Sequence, residues 1–107
     1  MDDSLPAAIG SFIAATNSAD ETAFVASFTD DARLQDGGRV FQGREGAAQW
    51  SASDNIGVGM HFELVSWAET APDAYDVTLE ARSRRFTGTG TLHVTTREGL
   101  IATLATA

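Results

Sequence analysis

Tyr75-Asp76-Val77-Thr78-Leu79-Glu80-Ala81-Arg82 alternates apolar and polar side chains without a break. A period of two marks a strand with one face on a core and the other in solvent. The stretch predicts a half-buried antiparallel strand, and the same period runs through the chain from Val58 onward. Before it, Met60, Phe62 and Leu64 share one face, His61 and Glu63 take the other, and Trp67 falls in the outward phase with Val65. After it, Leu92 and Val94 oppose Thr91, His93 and Thr95. Arg97-Glu98-Gly99 then turns into a last strand from Leu100 to Thr106. This phase places both histidines on the outer face, as structural or interfacial residues, and without further ligands nearby they make no metal site.

The first half reads differently. Leu5, Ile9, Phe12, Ile13 and Thr16 recur at helical spacing, which predicts a helix over 5–18 capped by Ser4, with Pro6 in its first turn. Asp20 caps a shorter helix in which Phe24 and Phe28 sit four apart on one face, and Asp30-Asp31 ends it. Ala32, Leu34 and Asp36 then alternate with Arg33 and Gln35 as a strand. Asp36-Gly37-Gly38 turns, 39–42 returns, and Gly43 breaks the strand before a third helix over 45–52 that presents Ala47 and Trp50. The plan is a single α+β domain over 1–107, with three helices in the N-terminal half packed on one face of a mainly antiparallel sheet of about six strands.

Seven basic residues, all arginine, stand against 15 acidic ones, a net charge of −8. A field of that sign repels phosphate backbones and anionic lipid, which excludes nucleic acid and a membrane surface as partners. The cluster Arg82-Ser83-Arg84-Arg85 is too short to reverse this and reads as decoration of an exposed strand face. Cysteine is absent, which removes disulfides, thiol nucleophiles and thiolate metal sites, and fits a cytoplasmic location. No apolar run approaches the ~20 residues of a membrane span, and the start Met1-Asp2-Asp3-Ser4 is acidic where a signal peptide is basic. A chain of 107 residues carries one core, so any pocket shares space with it and is expected to be small.

The element order resembles the nuclear transport factor 2-like (NTF2-like) superfamily, especially its SnoaL-like and ketosteroid-isomerase-like branches. The phrases that carry the resemblance are Phe12-Ile13-Ala14-Ala15-Thr16-Asn17-Ser18-Ala19-Asp20, Phe28-Thr29-Asp30-Asp31-Ala32, Gly43-Arg44-Glu45-Gly46 and Glu98-Gly99-Leu100-Ile101. It implies a cone in which three helices close over a curved sheet. It also implies a hydrophobic small molecule carrying a carbonyl or hydroxyl, no cofactor, and a homodimer through the outer sheet face around His61, Glu63, Trp67 and Arg82.

Asp36 matches the position at which ketosteroid-isomerase-like enzymes carry the aspartate that takes a proton next to a carbonyl. Strand phase agrees independently, because Ala32 and Leu34 face the core and Asp36 follows them. A carboxylate there is costly unless it meets a pocket, water or a donor. The other reading of Asp36 is a turn residue before Gly37-Gly38, bonding its own loop amides. By the same resemblance the two oxyanion donors of that branch fall on Phe12 and near Leu92, neither of which can donate, so steroid isomerisation is disfavoured. The candidate pocket residues are Phe12, Trp50, Phe62, Tyr75 and Leu92, with Tyr75 bringing an inward hydroxyl. Two functions remain open: a small-molecule-binding protein of the isomerase, cyclase or dehydratase type with Asp36 as general base or polar anchor, or a non-catalytic ligand-binding or dimerisation module with a filled or reduced pocket.

Overall fold

The computed structural model describes residues 5–106. Helix α1 is Ala7–Asn17, preceded by Pro6 at the N-cap; the expected cap Ser4 lies outside the described residues. Of the face read from the spacing it buries Ile9, Phe12 and Thr16, with Ala8 and Ala15 beside them, while Leu5 and Ile13 are half-buried. Helix α2 is Glu21–Ala26, and the Asp20 side chain accepts from the Ala23 N–H at 3.0 Å. It stops earlier than the phenylalanine spacing suggests. Ser27 bonds back to the Ala23 carbonyl through Oγ, and its own carbonyl accepts from the Ile101 N–H. Phe28 therefore opens strand β1, Phe28–Asp36, and is not the last residue of a helical face. Its ring still meets Phe24, 5.2 Å between centroids, because the chain turns back beside α2.

The remaining elements are β2 (Arg39–Gln42), α3 (Gly43–Asp54), a 3-10 turn (Ile56–Val58), β3 (His61–Ala71), β4 (Ala74–Arg82), β5 (Thr87–Arg97) and β6 (Leu100–Thr106). The sheet order is β2-β1-β6-β5-β4-β3, with β1 and β6 the parallel pair. Helix α3 extends past the expected Ala52 to Asp54. It lies so close on β2 that a Cβ at Gly46 would come 2.7 Å from the Phe41 carbonyl carbon. The end of α1 is tied to the edge strand β3, where the Asn17 amide donates to the Phe62 carbonyl and accepts from the Phe62 N–H. That two-point bond aims Phe62 at the core.

The core is built from aromatic rings. The Phe12 centroid lies 5.4 Å from Phe24, 5.6 Å from Phe62 and 6.3 Å from Phe28, and Trp50 stacks on Phe24 at 6.1 Å. Each such ring contributes about 1.5–3 kcal/mol by leaving water. Trp67 is not on the outer face. Leu64 pairs with Leu79 but Ser66 pairs with Thr78, so Val65 is bulged out and the phase flips. Trp67 then sits opposite Val77 on the core side and packs on Tyr75 at 6.1 Å. The outer face is polar and cross-linked between strands. His93 Nδ1 lies 2.6 Å from Asp76 Oδ1, and Thr78–Thr91 and Thr95–Thr103 share hydroxyl hydrogen bonds. No helix among the described residues is long and apolar enough to cross a membrane.

Candidate functional site

The cone is not filled. A cavity of about 560 Å³ opens between the C-terminal half of α3, the 3-10 turn and the ends of the strands. That volume lies within the roughly 300–1,000 Å³ usual for small-molecule pockets, so the expectation of a small pocket is corrected.

The reason lies on β5. Gly88 pairs with Ala81 and Gly90 with Leu79, so both glycines face the core side in phase with Leu92 and Val94. Where a strand of this length would place two large side chains, it places none. A Cβ at Gly90 would meet nothing within 4 Å. Glycine inside a strand weakens it and leaves room for something else to approach the backbone. The space beside Gly88 is partly taken by the Phe86 ring, whose Cζ would lie 3.1 Å from an added Cβ.

Of the residues singled out from the sequence, Asp36, Trp50, Phe62 and Leu92 line this cavity. Phe12 lies behind it, 2% exposed and stacked on Phe62. Tyr75 is not brought to the site. It sits farther along β4, opposite Val94 and against Trp67.

Asp36 closes the β1–β2 hairpin opposite Arg39 and also reaches the cavity. Its Oδ2 accepts from Trp50 Nε1 at 2.9 Å and from Arg39 Nη2 at 3.0 Å. It does not bond its own loop amides; the Gly37 N–H goes to Thr106 Oγ1 at 3.2 Å. Among the described residues both donors fall on Oδ2, which leaves Oδ1 as the oxygen open to a ligand.

Arg39 continues the chain of charge, with Nη1 3.0 Å from Asp54 Oδ2. This hydrogen bond holds the Asp54 carboxyl below the usual carboxylate range; the Ser53 hydroxyl and the Arg85 charge act the same way, against partial burial. Asp54 also lines the cavity. It sits four residues after Trp50, on the same face of α3. Reading the helix only to Ala52 hid it.

Arg82 ends β4 on its exposed outer face, as expected, but the rest of the arginine cluster leaves the strand. It turns across the end of the cone: Arg84 Nη2 donates to the Gly57 carbonyl at 2.6 Å, and the Arg84 N–H bonds the Val58 carbonyl at 2.9 Å. Arg85 donates to the Ser53 carbonyl at 3.3 Å and lies 3.9 Å from Asp54 Oδ1. Arg85, Phe86 and Ser83 thus form part of the cavity wall. Nothing local in the sequence indicates this, because the contacts come from a segment about 30 residues earlier. The two glycines were a legible signal, lying two apart and in phase with Leu92. No group of three possible metal ligands comes together among the described residues.

No protein-family model and no curated protein matches the chain. Solved structures do. A Sinorhizobium meliloti protein named as a polyketide cyclase superposes with a TM-score of 0.87 at 24% identity, covering 96% of this chain and 95% of its own. A Cytophaga hutchinsonii NTF2-like protein of unknown function does so with a TM-score of 0.81 at 12% identity, over 100% of this chain and 93% of its own. The fold is NTF2-like. A computationally designed 17-OHP binder shares it, with a TM-score of 0.82 at 20% identity over 95% of this chain and 89% of that one. Within the NTF2-like cone, this chain's cavity owes open space to the missing side chain at Gly90, and its polar edge to Asp36, Asp54 and Arg85.

Proposed function

We propose that this chain is a small-molecule-binding protein of the SnoaL-like type, whose cavity takes a hydrophobic compound bearing a hydroxyl or carbonyl, with Asp36 as its polar anchor. The observation that carries the reading is the open cavity of about 560 Å³ with the Asp36 carboxylate at its edge. A cone filled by side chains would have favoured a purely structural module. The designed 17-OHP binder of the same fold lends support, since its scaffold holds a ligand of the class proposed.

Asp36 Oδ1 suits either an accepted hydrogen bond from a hydroxyl or removal of a proton from carbon next to a carbonyl. The second use needs donors for the oxyanion that forms, often the largest catalytic contribution. Phe12 is sealed among rings and Leu92 is apolar, so neither supplies one. Binding therefore stands ahead of turnover in this reading, and a cofactor-free isomerase or lyase reaction is the chemistry left to Asp36. The variant Asp36→Asn is expected to weaken 2-naphthol about tenfold, the scale of one hydrogen bond to a charged group, and to leave naphthalene within twofold. Titration calorimetry that found both affinities unchanged would remove Asp36 from the site.

The reading includes a homodimer through the outer face of the sheet. Its support is that the helices cover the other face, while this one presents satisfied polar pairs such as Asp76–His93 and Thr78–Thr91. Light scattering at micromolar concentration should return about twice the mass of the chain; the mass of a single chain would overturn it.

A further inference from the structure

We infer that the ligand is an amphipathic organic acid whose acidic group is taken by Arg85 at the mouth of the cavity. This rests on the reading that the cavity binds a small molecule and specifies which kind. Among the described residues that line the cavity, Arg85 is the one cation. The other arginines nearby are engaged. Arg39 is held between Asp36 and Asp54, each at 3.0 Å, and Arg84 is bonded to the Gly57 carbonyl at 2.6 Å.

Among the described residues the Arg85 guanidinium makes only the long 3.3 Å bond to the Ser53 carbonyl, and its nearest carboxylate oxygen there, at 3.9 Å, is beyond hydrogen-bond reach. Asp54 does not need it, since its Oδ2 already accepts from Arg39 and Ser53. The Arg85 side chain lines the cavity and is 67% exposed, so most of its five N–H donors are accessible. A planar guanidinium with free donors fits a carboxylate, sulfonate or phosphate, with two parallel bonds available. Arg39 bridges Asp36 and Asp54 and offsets one of their two negative charges, which lessens their repulsion of such a group. The ligand's apolar body then lies over Gly90, between Leu79 and Leu92, with its acid at the mouth.

Two probes with one ring skeleton test this by fluorescence: 8-anilinonaphthalene-1-sulfonate, and N-phenyl-1-naphthylamine, which lacks the sulfonate. Arg85→Gln is expected to weaken the sulfonate about tenfold, as loss of a charge-assisted pair does, and to leave the neutral amine within twofold. Arg85→Lys should restore part of the loss. Equal effects on both probes, or none on the sulfonate, would overturn the acid-binding role while leaving the cavity reading intact. Gly90→Leu should weaken both probes; if it weakened neither, the cavity reading would fail and this inference with it.

Discussion

Gly90→Leu is expected to make the protein more stable and to abolish its capacity to bind. The two effects have one cause. Gly90 sits on the core side of β5 opposite Leu79, and an added Cβ there meets nothing within 4 Å. Its φ is not in the left-handed region, so a larger residue enters without backbone strain. Replacing glycine inside a strand recovers about 0.5–1 kcal/mol of conformational entropy, and the new side chain gains burial. Thermal unfolding should shift upward by several degrees, as about 1 kcal/mol does in a domain of this size. The same side chain lies across the middle of the cavity, and affinity for 2-naphthol or the anilinonaphthalene probes should fall at least tenfold, to the point where no saturation is seen. A variant that bound normally would show that ligands go elsewhere. A variant that lost stability would show that the space beside Gly90 is not open in solution.

Phe12→Ala carries the largest expected cost. The ring is 2% exposed and touches Phe24, Phe28 and Phe62. Truncating a buried phenylalanine costs about 3–5 kcal/mol, part lost transfer energy and part the void left behind. Against a total of about 5–15 kcal/mol for an ordinary domain, this leaves a marginal protein, melting on the order of 15 °C lower. Denaturant unfolding checks it, and a cost under about 1 kcal/mol would mean the aromatic cluster is not the keystone of the core. Phe62 stacks on Phe12 and lines the cavity, so binding should weaken in the same variant even at temperatures where it stays folded. Phe12→Leu keeps most of the volume and should keep most of both properties.

Much of this architecture was legible residue by residue. Ile9 and Phe12 declared the buried face of α1, because helical spacing leaves only one stripe that can leave water. The alternation from Tyr75 to Arg82 declared β4, and of the face it named Val77, Leu79 and Ala81 are buried and Tyr75 half-buried. The direction of Asp36 followed from Ala32 and Leu34. Other residues misled for identifiable reasons. The four-residue spacing of Phe24 and Phe28 is helical in form, but pairing with β6 draws Phe28 into the sheet. Trp67 is in outward phase by count and inward in fact, because a bulge at Val65 inserts one unpaired residue.

The amino-acid sequence by itself determined the periods, and so the order of helices and strands, the side of most of them that meets the core up to the bulge at Val65, and the inward aim of one carboxylate. Those are consequences of neighbours a few residues apart, whose geometry repeats along the chain. Only the tertiary structure decided what surrounds that carboxylate. The Trp50 indole, the bridge from Arg39 to Asp54, the loosely held Arg85 and the space over Gly90 come from four separate segments, namely α3, β2, the β4–β5 connection and β5. Whether they enclose a cavity depends on how far apart packing holds those elements. The bulk of Phe12, Phe24, Phe28 and Phe62 fills one part of the cone, and the missing side chain at Gly90 helps leave the other part open.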